Sequence, residues 1–127
     1  MAASGNKGGV LNRIGYMYSE GLGVAENGTE AVKWFRKAAE QGYSIAYYNM
    51  GLMYELGKGV TKDMGEAVRW YRKAADQGNM YGEFNIGLLY EFGYGVTKNL
   101  DEAAKWYRRA ANRGMERAKT KLKELGR

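Results

Sequence analysis

EAVRWYRKAADQG, residues 66–78, decides the fold. Ala67, Trp70, Tyr71, Ala74 and Ala75 sit at helical offsets and form one apolar stripe. Gly78 closes the run, as glycine does where a helix must turn left-handed to end. The stretch recurs as EAVKWFRKAAEQG (30–42) and EAAKWYRRAANRG (102–114). Upstream, IGYMYSEGLGV (14–24), MGLMYELGKGV (50–60) and IGLLYEFGYGV (86–96) align without a gap. Gly42, Gly78 and Gly114 mark a period of 36 residues. A fixed period of this length belongs to a stacked array in which no unit buries its core alone.

Within the middle unit, Ala46, Met50, Met53 and Tyr54 give a second helical face. Its equivalents are Val10, Ile14, Met17 and Tyr18, then Gly82, Ile86, Leu89 and Tyr90. Gly57 and Gly59 end that helix. Asp63 with Glu66 resembles a capping box, and Asn27 with Glu30 and Asn99 with Glu102 hold the same register. Each unit is therefore expected to be two antiparallel helices, A (about 44–56) and B (about 63–77). Gly15, Gly51 and Gly87 form a column inside helix A, which calls for a close contact. The helix B alanines are its expected partners. Trp34, Trp70 and Trp106 form another column, expected to pack between repeats.

The units are read as 7–42, 43–78 and 79–114, followed by a capping helix over 115–127. There Ala118, Leu122 and Leu125 keep the core column and Lys123 replaces the glycine. Ala2–Asn6 reads as the tail of an earlier helix B, which suggests a piece of a longer array.

The chain has neither Cys nor His. Thiol nucleophiles, disulfides, imidazole bases and zinc fingers are therefore excluded. No apolar run is long enough to span a bilayer, and the first nine residues do not resemble a signal peptide. The cytoplasm is the favoured compartment. Net charge is +6, which raises the question of an acidic partner or nucleic acid.

The [IM]-G-x-x-Y helix, the G-x-G-V-x-x-[DN] loop and the A-x-x-W-[FY]-x-[KR]-A-A-x-x-G helix together resemble the Sel-one-like repeats, relatives of the tetratricopeptides. The resemblance covers nearly the whole chain. It implies an all-α, right-handed superhelical solenoid of about seven helices. It also implies a bacterial setting and an adaptor role, with a concave helix A surface that gathers partners. Many secreted bacterial members staple each repeat with cysteines, so their absence points away from that branch. The family carries no catalytic residue to transfer.

Opposite the helix A core, the free face carries Asn12, Arg13, Tyr16 and Glu20, then Tyr48, Asn49, Leu52 and Glu55, then Phe84, Asn85, Leu88 and Glu91. Aromatic and apolar residues on a face that water alone would make polar suggest a partner surface. Curvature burying them between neighbouring A helices is the alternative. Asn49 and Asn85 share a column and could hold a partner's backbone, as the tetratricopeptide resemblance implies, or bond a neighbour. Glu20, Glu55 and Glu91 are acidic points for a basic partner segment. Repetition sets their spacing and nothing distinguishes an acid from a base, so they do not form a glycosidase pair.

Helix B turns Lys33, Arg36 and Lys37 outward, as it does Arg69, Arg72 and Lys73, then Lys105, Arg108 and Arg109. This ridge reads as a solvated face, with a polyanion as the alternative ligand. The expected partner is a protein or peptide, and the expected state a monomer. A nucleic acid, membrane, small-molecule substrate, metal or cofactor is not expected. A repeat array with no ligand remains the third reading.

Overall fold

The computed structural model describes residues 2–127, with side chains from Lys7 onward. Seven helices follow one another: α1 (Ala2–Glu20), α2 (Gly28–Glu40), α3 (Ser44–Leu56), α4 (Met64–Asp76), α5 (Met80–Phe92), α6 (Leu100–Asn112) and α7 (Glu116–Glu124). No strand occurs among the described residues. α1 packs on α2, α3 on α4 and α5 on α6, and each pair leans on the next through α2–α3, α4–α5 and α6–α7. This is an α solenoid in which each helix touches chiefly its neighbours in the chain.

The turns follow from a few residues. Asn27, Asp63 and Asn99 cap α2, α4 and α6, accepting from the amides of Glu30 (3.1 Å), Glu66 (3.1 Å) and Glu102 (3.0 Å). Each cap also donates its own amide back to the preceding helix, to Tyr18, Tyr54 or Tyr90 O at 2.8–3.0 Å. The cap thus fixes the loop at both ends, satisfying helix-end groups that would otherwise be orphaned. Gly42, Gly78 and Gly114 take φ of 77°, 83° and 102° after α2, α4 and α6. Asn6 occupies the same column, and there the helix does not turn. α1 runs unbroken through residues 2–20, so this segment extends helix A and is not the tail of an earlier helix B.

The core lies between the helix pairs. Ala46, Met50, Ile86 and Ala118 are fully buried. Val10 stands in their register yet is 57% exposed. Ala46 packs on Ala38 and Ala39 of α2, and no described helix lies across α1 in that way.

The glycine column also differs from expectation. A Cβ on Gly15, Gly51 or Gly87 would lie 2.5–2.6 Å from the ring of Phe35, Tyr71 or Tyr107. The close partner is the helix B aromatic rather than an alanine. The alanines serve the next interface, where Gly82 seats against Ala74 and Ala75.

Trp106 is buried against Ala67, Val68, Tyr71 and Ala75 of α4. Trp70 packs on Ala38, Ala39 and Tyr47. Trp70 and Trp106 therefore join repeats, while Trp34 meets Glu30, Lys33 and Lys37 of its own helix. Trp70 is only half-buried, which sets Trp70→Ala at the low end for such truncations, a loss of about 3 kcal/mol. An unchanged thermal melt would contradict the packing role.

Candidate functional site

The residues expected at the site lie on α1, α3 and α5. Tyr16 is half exposed, and Arg13 and Glu20 are exposed. Asn12, Tyr48, Asn49, Leu52, Glu55, Asn85, Leu88 and Glu91 are partly buried. Phe84 departs from the expected surface. It is 3% exposed, its ring is 5.4 Å from that of Tyr107, and the Arg117 guanidinium lies over it at 4.7 Å. Phe84 belongs to the core that α6 and α7 close and cannot be gripped by a partner.

Asn49 bonds within the protein and Asn85 faces two tyrosines. Asn49 Nδ2 donates to Asn12 Oδ1 at 3.0 Å, tying α3 to α1. Asn85 lies within reach of the Tyr48 and Tyr71 hydroxyls. The Tyr48 ring lies between those of Tyr71 (5.7 Å) and Tyr81 (5.9 Å). The three rings thus adjoin one another beside the Asn85 amide.

The carboxylates are also engaged. Tyr71 Oη donates to Glu55 Oε1 at 2.6 Å, and Tyr107 Oη to Glu91 Oε1 at 2.5 Å. These bonds join helix A to helix B inside one unit. Lys121 of α7 pairs with Glu91 at 3.2 Å, while Glu20 is 3.9 Å from Lys58. Burial raises the Tyr71 and Tyr107 hydroxyls far above the ordinary tyrosine range, and the facing carboxylates raise them further. Burial also raises Tyr48, against a smaller lowering by Asn85. All three tyrosines are neutral at physiological pH, and Tyr71 and Tyr107 donate to carboxylates. Glu55 and Glu91, read as contacts for a basic partner, are internal acceptors, while Glu20 stays exposed.

These latches left a signal in the sequence. Positions 19, 55 and 91 read Ser, Glu, Glu, while positions 35, 71 and 107 read Phe, Tyr, Tyr. The acceptor is absent only where the hydroxyl is. A further pair, Glu83 with Arg113, left a weaker one. Glu83 is 1% exposed and meets Arg113 Nε at 2.8 Å. Bonding to that carboxylate raises the guanidinium pKa.

On the opposite face, the helix B cations fold onto their own helices. Lys37, Lys73 and Arg109 lie 4.5–4.6 Å over Trp34, Trp70 and Trp106, contacts of the cation–π kind. Arg69 and Lys105 pair with Glu66 and Glu102. Among the described residues, no helix is long and apolar enough to cross a membrane. No described group of three His, Cys, Asp or Glu could hold a metal ion.

The Sel1 repeat family model matches residues 10–43, 44–79 and 81–115. No curated protein matches the chain. Among solved structures, a Sel1 repeat protein from Oxalobacter formigenes is 50% identical, over 89% of this chain and 46% of that one, with a TM-score of 0.82. A protective antigen of uropathogenic Escherichia coli with an SLR fold is 38% identical, over 95% of this chain and 26% of that one, with a TM-score of 0.88. Cysteine-rich protein B of Helicobacter pylori is 31% identical, over 76% of this chain and 72% of that one, with a TM-score of 0.71. The chain thus spans less than half the length of the first two.

Proposed function

Because the chain belongs to the Sel1-repeat family, whose repeats are non-catalytic protein-interaction modules, we propose that it holds an extended segment of another protein in the helix A groove. One observation carries this reading. Tyr48, Leu52 and Leu88 remain partly open on a face whose polar groups are already engaged with one another. Tyr16 and Tyr81, each half exposed, continue the row. Aromatic and aliphatic anchors beside satisfied polar groups offer contact area at little desolvation cost. Arg13, at the α1 end, adds one exposed cation.

The test replaces partly open anchors at the edge of the core and spares its fully buried residues. Phe84→Ala would damage packing, so Leu52→Ala with Leu88→Ala is the informative pair. Peptides enriched on the wild-type protein from a displayed random library should bind this variant at least roughly tenfold more weakly, the effect of losing about 1.4 kcal/mol. Equal affinity by titration calorimetry, with the fold intact by circular dichroism, would exclude the groove as the binding site.

The helix B ridge is the weaker alternative. Its cations are distributed among Trp faces and neighbouring carboxylates, which suits a solvated surface better than a polyanion track.

A further inference from the structure

At the α7 end of the groove, Phe84, Leu88, Arg117, Thr120, Lys121 and Glu124 line a shallow pocket of about 280 Å³. We propose that this pocket receives an aspartate or glutamate side chain of the partner segment. The inference rests on the groove reading above and gives the bound segment its charge.

The charges already engaged narrow the choice. Glu55 accepts from Tyr71, and Glu91 accepts from Tyr107 and pairs with Lys121. Neither carboxylate offers the strong, open site that a basic partner residue would need. Arg117 is the opposite case. It is exposed, and among the described residues it takes part in no ion pair. Its guanidinium lies over the Phe84 ring at 4.7 Å, which holds it at the pocket. Guanidinium stacked on a ring keeps its N–H edge free for a carboxylate, which it binds through two parallel hydrogen bonds. Thr120 brings a hydroxyl to the same pocket, and Leu88 supplies an apolar wall for the methylene of the incoming side chain.

Charge decides the class of anion. Lys121 is held by Glu91 at 3.2 Å and by Glu124 at 3.8 Å. Two cations therefore face two carboxylates, and the pocket is close to neutral before anything binds. A singly charged carboxylate completes the Arg117 fork. A phosphate dianion would bring twice the charge against Glu91 and Glu124, and like charges at this range repel.

Neighbouring packed helices lie roughly 8–10 Å apart. An extended chain advances about 3.3 Å per residue. Tyr48 and Leu52 lie on α3 and the pocket lies between α5 and α7, so a residue seated on the α3 pair is one and a half to two helix spacings, about four to six positions, from one at Arg117. The bound segment should carry an apolar residue and, about four to six positions away, an acidic one.

The test selects random decapeptides displayed with a fused C-terminus, so that any enriched acid is a side chain. Wild-type protein should enrich peptides with a fixed Asp or Glu about four to six positions from an apolar residue. Arg117→Ala should enrich the apolar position without the acid. A synthetic winner with its Asp changed to Asn should bind wild type about tenfold more weakly and Arg117→Ala equally well, by fluorescence anisotropy. Apolar peptides without a fixed acid, or an acid preference that survives in Arg117→Ala, would overturn the proposal while leaving the groove reading in place. Peptides selected for phosphorylated or basic residues would overturn it too. Failure of wild type to enrich any peptide would overturn both.

Discussion

Tyr71→Ala is expected to destabilise the array by about 3–5 kcal/mol. Tyr71 is fully buried, and its ring lies against Gly51, where even a methyl group would be only 2.5 Å away. The ring therefore fills the whole gap between α3 and α4, and its loss leaves a void that a helix pair cannot close by small shifts. The same substitution strands Glu55, which loses its donor. Urea unfolding should show a lower midpoint at an unchanged slope. Tyr71→Phe separates the two contributions. It keeps the ring and removes one bond to a carboxylate, a loss of about 2 kcal/mol. Phe35 already occupies this position in the first unit, opposite Ser19. Equal losses for Phe and Ala at position 71 would assign the effect to the hydroxyl and contradict the packing role of the ring.

Gly59→Ala is expected to cost about 2–4 kcal/mol, from overpacking and left-handed strain together. Gly59 sits in the loop between α3 and α4 with φ of 76°, and a Cβ there would collide with the Gly28 carbonyl oxygen at the start of α2. The loop of one unit rests directly on the helix B entrance of the unit before, backbone against backbone. Gly23 holds the same place in the first unit with the same φ of 76°, and a Cβ there would meet nothing within 4 Å. Gly23→Ala should therefore cost only the backbone strain, about 1–2 kcal/mol. The difference between the two melts measures the contact between units. Identical losses would mean that the loops do not carry the stacking.

The fold was legible because the information repeats. One unit read alone is ambiguous, but three aligned units fix the caps Asn27, Asp63 and Asn99, the helix ends and the core columns. Two errors came from positions where the repeat is only nominal. Val10 keeps the core register without a helix to cover it, and Asn6 stands in the turning column without glycine's freedom to turn there. The site was less legible. Helical geometry correctly separated the free face from the core, yet it could not show that α7 folds over Phe84. Nor could it show that Glu55 and Glu91 are occupied by hydroxyls from the partner helix. Those facts depend on which residues meet across helices. The one trace in the sequence was the joint change of Ser19 with Phe35 against Glu55 with Tyr71 and Glu91 with Tyr107.

Three near-copies in one chain create a hazard of mispairing, since a helix B from one unit resembles the helix B that another helix A requires. Glu83 and Arg113 form an ion pair in the third unit, and the columns they occupy hold Tyr47 and Gln77 in the second. Were α4 to take the place of α6 beside α5, Glu83 would be buried opposite a neutral glutamine. A carboxylate enclosed without its cation is disfavoured far more than a correct pair is favoured. The Glu83–Arg113 bridge therefore distinguishes one assembly order from its near-duplicates, penalising the shuffled arrangement that the repeated apolar columns would otherwise tolerate.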